Sequence, residues 1–351
     1  MPSTRLVKRN WEEDIIYHVQ FPRMGCIPSA SPFALKLETW LRANKLNYQN
    51  LSNNFTTFSS KGQIPFIELN GRQIADSNAI IEFLKEKFNC DIDNCLTEEQ
   101  KATGRAIRLL AEESIFRIIM YNRSKYNKWF VGSEGFGDVL TGVKKRFLET
   151  VGLKMFRNKL AKTCQIQGIG RNKKHEVEET LKGDLKALSV LLSDKPFFFG
   201  DNFTSIDATV FGQIAQIYYT PILNREVIIK FMEEETPNLI EFIKKIKELY
   251  WSDWDDLIKT KKQNMSDPDV VVKSKKEKKP KKSKKDDKKI LVDNTDSGKE
   301  ETKVDEKNKE DEIDEEKKEE EGKDEKEKQA EDKVDIKEEV KEEVKEETCN
   351  E

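Results

Sequence analysis

The aromatic residues of this chain stop well before its C-terminus. All 31 Phe, Trp and Tyr residues among the 351 precede residue 255. Residues 261–351 hold 26 Lys and 33 Asp or Glu instead. A segment with no aromatic ring and few apolar side chains cannot bury enough surface to offset its ordering entropy, so we predict a disordered charged tail there. The remaining residues, roughly 255, suffice for one large domain or two small ones.

Composition excludes several classes of protein. No run of 18 apolar residues occurs, so we expect no transmembrane helix, and the polar residues 1–13 do not resemble a secretory signal. Only two His residues and no Cys-x-x-Cys motif accompany five cysteines, Cys26, Cys90, Cys95, Cys164 and Cys349. Neither a disulfide framework nor a metal site is expected, and the predicted compartment is cytoplasmic.

The first part of the folded region alternates between strands and helices. Apolar and β-branched runs predict strands at 14–21, 48–51, 64–69 and 72–75. Amphipathic helices follow the first and the last of them, and Ser31 is the predicted N-cap of the first helix. Asn70 and Gly71 fit a two-residue hairpin turn. The order β-α-β-β-β-α predicts a domain over 14–89, after an N-terminal extension at 1–13.

From residue 96 onward the periodicity is helical, which predicts an all-helical domain over 96–258. Thr204 precedes an apolar run and Asp207 follows three residues later, so the two side chains can form a capping box. The helix that they begin is apolar nearly all round, which places it in the middle of the domain. Trp251 and Trp254 near the end of the last helix are expected to close the core.

Three short motifs occur in the order that they have in glutathione transferases. They are Gln63-Ile64-Pro65-Phe66, Asp76-Ser77-Asn78-Ala79-Ile80 and the segment from Phe199 to Asp207. With the element order, they resemble the glutathione transferase fold over residues 14 to about 258. The resemblance implies an α+β/α fold class, with an N-terminal thioredoxin-like domain, an all-helical C-terminal domain and the disordered tail. It also implies a cis proline at Pro65, which would explain a proline at the start of a strand.

A narrower resemblance is carried by Phe21-Pro22-Arg23 and by the run from Pro28 to Arg42. These residues are similar to the signature of the failed axon connections family, metaxin-related proteins that share this fold. The family name implies a part in axon development. Metaxins are anchored in the mitochondrial outer membrane, but the tail here has no apolar anchor, so that localisation is not carried over.

The resemblance also implies a glutathione site. The main-chain N–H and C=O of Ile64, ahead of Pro65, would pair with the cysteinyl backbone of glutathione like an added strand. Asp76 and Ser77 would hold its γ-glutamyl group at a helix N-terminus. The alternative is that Asp76 and Ser77 only cap the helix, because helix starts favour these residue types.

An active transferase must in addition stabilise the glutathione thiolate, since a thiol with a pKa of about 8.5 is mostly protonated at neutral pH. Ser31 and Ala34 stand where thioredoxin-like redox proteins carry Cys-Pro-x-Cys. Because neither residue carries sulfur, dithiol chemistry is excluded. Ser31 remains the candidate hydrogen-bond donor to the thiolate, and its alternative role is only to cap the helix. Gln20 stands where some transferases place a tyrosine, and it is not a comparably acidic donor.

Two other side chains have both a functional and a structural interpretation. Cys26 is the one thiol expected in the cleft, near Arg23, where it could be reactive or glutathionylated, although an isolated cysteine is more commonly inert. His18 alternates with apolar residues on a predicted strand. This pattern favours a core histidine with satisfied hydrogen bonds over a catalytic base.

The tail has a basic block followed by an acidic one. Residues 273–289 hold 11 Lys and three acids, whereas residues 290–351 hold 13 Lys and 28 acids. A basic block of this kind suits nuclear import, anionic lipid or RNA. Specific nucleic-acid recognition is not expected, because the tail has no aromatic rings to stack on bases. The favoured interpretation is that the two halves solvate the tail and attract each other or a partner protein.

Three functions stay open from the sequence. The leading prediction is an interaction or signalling protein of the failed axon connections type, with a role in axon development, unknown protein partners tethered through the tail, and a homodimer as one option. The rival is an active glutathione S-transferase that conjugates electrophiles or serves stress or metal detoxification, with glutathione as co-substrate and no metal. The third is a charge-driven adaptor at a membrane or the cytoskeleton that works through the tail.

Overall fold

A computed structural model of the protein describes residues 5–140 and 142–263, without the side chains of residues 143 and 144. The predicted disordered tail beyond residue 263, with its basic block at 273–289, lies outside the described residues.

Four strands form one mixed sheet in the order β2-β1-β3-β4. The strands are β1 Ile16–Gln20, β2 Tyr48–Ser52, β3 Phe66–Leu69 and β4 Arg72–Ala75. β1 pairs parallel with β2 and antiparallel with β3, which in turn pairs antiparallel with β4. All four predicted strands are confirmed, with β1 and β3 shorter than predicted. β3 begins only after Pro65, whose nitrogen has no hydrogen to donate to a ladder.

The turn between β3 and β4 has the predicted geometry. Asn70 and Gly71 have φ values of 48° and 76°, and two positive φ values are what a type I′ turn requires. The Ile64–Pro65 peptide bond just before β3 is cis, as the resemblance implied.

Two helices complete the thioredoxin-like part. The helix α1, Pro32–Ala43, follows its N-cap Ser31 and links the parallel strands β1 and β2. The helix α2, Ser77–Phe88, follows its N-cap Asp76. α1 is buried on almost every side, because it lies between the sheet and the helical domain.

Long helices interrupted by π-helical turns begin the second part. α3, Glu98–Leu109, passes through a π-helical turn at Leu110–Ile115 into α4, Phe116–Lys125. α5, Gly142–Phe147, continues in the same way through Leu148–Gly152 into α6, Leu153–Ile166. The later helices are α7 Lys174–Leu192, α8 Ser205–Tyr219, α9 Arg225–Glu235, α10 Pro237–Tyr250 and α11 Trp254–Thr260.

The helix α8 lies in the middle of the helical domain, as predicted, with all of its residues from Asp207 to Ile217 buried. It also approaches α1 closely, since a Cβ on Gly212 would lie 2.5 Å from the Pro32 carbonyl oxygen. The Thr204–Asp207 capping box is present at its start. The Asp207 carboxylate accepts from the Thr204 amide and from the Phe198 amide, both at 2.8 Å. Burial raises the pKa of Asp207 to about 6, against the effect of these hydrogen bonds.

The two C-terminal tryptophans close the core between α1 and the last helices. Trp251 and Trp254 are both 1% exposed. The Trp251 indole donates to the Thr39 hydroxyl at 3.1 Å, and the Arg42 guanidinium lies 4.0 Å from the centre of the Trp251 ring. Thr39 and Arg42 belong to α1, so these contacts hold the two parts of the protein together.

Candidate functional site

The sheet register brings the implied glutathione residues together. Phe66 pairs with Ala75, so the residues just outside this pair, Pro65 and Asp76, lie side by side. Val19 pairs with Phe66 from the other side, which puts the end of β1 next to the cis peptide. The backbone of Ile64, the cis peptide and the start of α2 therefore meet at one end of the sheet.

Asp76 and Ser77 form the start of α2. Asp76 is an exposed residue with a φ of 84°, and its Oδ1 accepts from the amides of Asn78 and Ala79 at 3.0 and 3.1 Å. Ser77 is buried as the first helical residue. Asp76 therefore does cap α2, as one of its two interpretations held. The Asn78 and Ala79 amides are therefore already bonded, and the exposed part of the Asp76 carboxylate is what a ligand could contact.

A buried cluster fixes the position of this helix start. The Lys36 ammonium donates to Asn78 Oδ1 at 2.6 Å and to Glu112 Oε1 at 2.7 Å, and Asn78 Nδ2 donates to Glu112 Oε2 at 3.0 Å. Burial lowers the pKa of Lys36, although Glu112 acts in the opposite direction. Glu112 lies in the first π-helical turn, and such turns are common at functional sites. Sequence analysis did not identify this cluster.

Ser31 is the N-cap of α1 and is almost buried. Its Oγ accepts from the Ala34 amide at 3.3 Å, and its own amide donates to Ser29 Oγ at the same distance. A hydroxyl that accepts one hydrogen bond still has its proton to donate. Capping and thiolate donation are therefore chemically compatible at Ser31.

The Gln20 side chain is buried and hydrogen-bonded within the protein. Its side-chain nitrogen donates to Glu38 Oε2 at 2.9 Å and to Asn50 Oδ1 at 2.7 Å, and the residue is fully buried. At the end of β1, the position where some transferases carry a tyrosine thus has no side chain directed to a ligand.

Glu38 is the centre of a second buried network. Arg23 donates to both of its carboxylate oxygens at 2.7 Å, and Arg42 donates to Oε1 at 3.2 Å. Burial alone would raise the pKa of Glu38, but the guanidinium groups, first that of Arg23, hold it well below its usual range. Arg42 in turn donates to both oxygens of Asp253 at the start of α11. The network links the first domain to the last helix.

A segment of the helical domain covers the loop between β1 and α1. We call residues 133–138 the strap. The amides of Gly25 and Cys26 each donate to the Glu134 carbonyl at 3.0 Å. A Cβ on Gly25 would lie 1.9 Å from the Ser133 carbonyl oxygen, so the contact is possible only with glycine there. The Lys261 ammonium also donates to the Ser133 carbonyl, at 2.9 Å, and so helps to hold the strap in place.

Aromatic rings fill the space beside the strap. Phe136 of the strap is 4% exposed, and its ring centre lies 4.9 Å from that of Phe55 and 6.0 Å from that of Phe130. Phe21, the residue after β1, stacks on Phe55 at 5.9 Å. These rings join the end of β1 to the helical domain.

The sequence matches known proteins over both parts of the fold. Two family models match the chain. The model described as Glutathione S-transferase N-terminal domain matches residues 32–129, and the model described as Glutathione S-transferase, C-terminal domain matches residues 181–246. The chain is 37% identical over 268 residues to Failed axon connections of Drosophila melanogaster, an alignment that covers 71% of this chain. The chain is thus similar to the failed axon connections family and has the glutathione S-transferase fold. It spans 61% of the length of the Drosophila protein.

Other relatives are less similar to this chain. Isoprene-epoxide–glutathione S-transferase of Rhodococcus sp. is 29% identical over 230 residues, which cover 64% of this chain and 94% of the bacterial protein. Human Metaxin-2 is 23% identical over 248 residues, which cover 69% and 91% of the two chains. The crystal structure of a Ceriporiopsis subvermispora glutathione S-transferase in complex with glutathione has a TM-score of 0.46 and 16% identity, and covers 66% and 96% of the two chains.

Cys26 is not an activated thiol. Burial raises its pKa to about 12, with Glu134 as a second cause, so the thiol stays protonated at neutral pH. Arg23 does not offset this effect, because its guanidinium is directed at Glu38. The structure thus gives Cys26 the inert interpretation rather than the reactive one.

A cavity of about 310 Å³ lies away from the cis peptide, beside Ile107, Leu191 and Phe198. No group of three or more His, Cys, Asp or Glu in residues 5–140 and 142–263 is placed to hold a metal ion. Among the described helices, none has the length and apolar character to cross a membrane.

His18 should give the folded protein a measurable pH dependence. It is fully buried, as predicted for a core histidine, but its Nε2 has no hydrogen-bond partner among the described residues. Burial lowers its pKa to about 4. The unfolded value is about 6.5, so the stability that neutral His18 provides is complete above that pH and is lost as the pH falls toward 4. From pH 7 to 5 we expect this to remove about 2 kcal/mol of unfolding free energy.

The measurement compares denaturant unfolding of the unaltered protein and His18→Gln at both pH values. Asp207 has a raised pKa and changes stability in the opposite direction, but it is present in both proteins and cancels. Equal losses in the two proteins would contradict the assignment.

Proposed function

We propose that this protein is an interaction and signalling protein of the cytosol that serves axon connections, and that it is not primarily a conjugating enzyme. The observation that carries the proposal is the strap. It covers the loop between β1 and α1 through the Gly25 and Cys26 amides, and its Phe136 lies in the aromatic cluster. Ser31 is the last residue of that loop, so we expect the strap to restrict the space that an electrophile would need beside a thiolate at Ser31. The name of the Drosophila relative supports the axon role.

An enzymatic alternative is favoured by two observations. The cis peptide at Ile64–Pro65 adjoins the start of α2, and the bacterial relative with 29% identity is named as a glutathione S-transferase that acts with an isoprene epoxide. In this alternative, the backbone of Ile64 before Pro65 pairs with the peptide and Asp76 and Ser77 hold the γ-glutamyl group. Ser31 donates to the thiolate, glutathione is the co-substrate, and electrophile, stress or metal detoxification is the role.

A turnover assay separates the two. We expect the unaltered protein to conjugate a general electrophile to glutathione no faster than Ser31→Ala does. Thr97→Ala is the matched control, because it removes the N-cap of α3. Losing this cap also costs about 1 kcal/mol, but it leaves the residues around the cis peptide unchanged. Turnover that is lost in Ser31→Ala and kept in Thr97→Ala would overturn the proposal in favour of the enzyme.

Two further measurements address binding and biology. Retention on immobilised glutathione that disappears in Asp76→Ala would establish a glutathione site in either role. Expression in Drosophila that lack Failed axon connections tests the interaction role directly. We expect the unaltered protein and Ser31→Ala to restore the axons equally, and rescue by the unaltered protein alone would contradict a non-enzymatic function.

A further inference from the structure

The helix formed by α5, the second π-helical turn and α6 has apolar side chains on its outward face. Its inward face contains the buried Leu160 and Cys164. Four bulky apolar side chains are exposed instead, namely Phe147 at 56%, Val151 at 45%, Met155 at 62% and Ile166 at 73%. Residues four apart share a face of a helix. The first three of these side chains therefore form a stripe, and Ile166 extends it at the C-terminal end.

The same helix is strongly basic. Residues 142–166 hold seven Lys or Arg and one acid, Glu149. Five of the cations are exposed, at Arg146, Lys154, Arg157, Lys159 and Lys162. None of these five forms an ion pair with another described residue. Lys159 and Lys162, four and seven residues after Met155, share its face of the helix. The outward face thus combines four exposed apolar side chains with unpaired positive charge.

This combination selects one kind of partner. Single exposed apolar residues are ordinary on a protein surface, but a contiguous apolar patch indicates a binding surface. From Phe147 to Ile166 the face is about 28 Å long at 1.5 Å per residue. Lys and Arg have long stems that can lie along apolar surface while their charged ends reach phosphate groups. Basic helices with bulky apolar side chains lie in the plane of anionic bilayers in this way.

We propose that the outward face of residues 147–166 docks on an anionic phospholipid bilayer. The apolar side chains enter the boundary between headgroups and acyl chains, and the flanking cations bind lipid phosphates and carboxylates. Binding is peripheral and reversible, because a single short apolar stripe supplies only modest affinity. This surface is separate from the residues around the cis peptide, so the proposal does not depend on whether glutathione binds there.

Sedimentation of the full chain with vesicles tests the proposal. We expect binding to vesicles of phosphatidylcholine with phosphatidylserine, and little binding to phosphatidylcholine alone. The double variant Lys159→Gln with Lys162→Gln should weaken binding about 10- to 30-fold, since each cation near an anionic surface contributes about one factor of five. Phe147→Ser with Met155→Ser should weaken it at least tenfold by removing the inserted side chains.

Two controls make the result specific. Val190→Ser with Leu249→Ser removes exposed apolar side chains from α7 and α10 and should leave binding unchanged. Replacing the Lys residues of 273–289 by Gln tests the tail as the source. The proposal is overturned if the helix variants bind as tightly as the unaltered protein, if the tail variant alone loses binding, or if phosphatidylcholine binds equally. Tighter binding to polyglutamate than to the anionic vesicles would overturn it in favour of an acidic protein partner.

Discussion

Replacing Glu38 by Gln is expected to lower the free energy of unfolding by about 3–5 kcal/mol, the usual cost of removing one partner from a buried ion pair. Both charges of the Arg23–Glu38 pair are fully buried, and the two hydrogen bonds between them are 2.7 Å long. The amide of Gln keeps the size of the side chain but removes its charge. The Arg23 guanidinium would then remain in the interior without a counter-ion, which is the costly state.

Denaturant unfolding at neutral pH checks this expectation, with Glu82→Gln as the matched control. Glu82 also pairs with a cation, Lys85, at 3.2 Å, but its side chain is 70% exposed. Exposed pairs of this kind contribute about 0–1 kcal/mol, so the control should unfold nearly as the unaltered protein does. A similar small change in Glu38→Gln would mean that water reaches Arg23 and that the pair is not buried in solution.

The local features of the first domain were predictable because their causes are local. A proline blocks a ladder hydrogen bond wherever it stands, and Asn70-Gly71 tolerates the two positive φ values of a tight turn. The same holds for Ser31 and Asp76, whose side chains accept from amides two or three residues later. Features of this kind depend on a few neighbouring residues, and the sequence displays all of them.

The Lys36 cluster was missed because its partner Glu112 is distant in the sequence. The apolar residues Leu35, Leu37 and Trp40 leave α1 without a continuous polar face. Their spacing therefore indicated that Lys36 and Glu38 are buried and paired. The identity of the partners was not indicated, since Lys36 pairs with Glu112, 76 residues later.

The strap could not be predicted for a related reason. Residues 120–175 contain no motif that sequence reasoning could interpret, and the strap acts through backbone carbonyls, which every residue has. The only local signal is the glycine spacing in this region. A Cβ on Gly135 would lie 2.3 Å from the Phe130 carbonyl oxygen, and one on Gly137 would lie 2.3 Å from that of Val131, so the strap packs tightly against the residues that precede it. The residues around the cis peptide were therefore predictable. The backbone contact between the strap and the loop after β1 was not.

Replacing Gly25 by Ala is expected to release the strap and to lower the free energy of unfolding by about 3–5 kcal/mol. The new Cβ would lie 1.9 Å from the Ser133 carbonyl oxygen, and the opposing atom belongs to backbone, so the chain itself must move. Movement breaks the bonds from the Gly25 and Cys26 amides, each of which contributes about 1 kcal/mol, and overpacking adds about 1–3 kcal/mol.

Gly183→Ala is the control for this change. Gly183 is exposed within α7, and a Cβ there would meet nothing within 4 Å, so the substitution should stabilise the protein by about 0.5–1 kcal/mol. Hydrogen exchange then locates the effect of Gly25→Ala. Amides of residues 133–138 should exchange faster than in the unaltered protein, while those of α8 keep their protection. Unchanged stability and exchange would mean that the strap does not lie on the loop after β1, and the argument against an open electrophile pocket would fail with it.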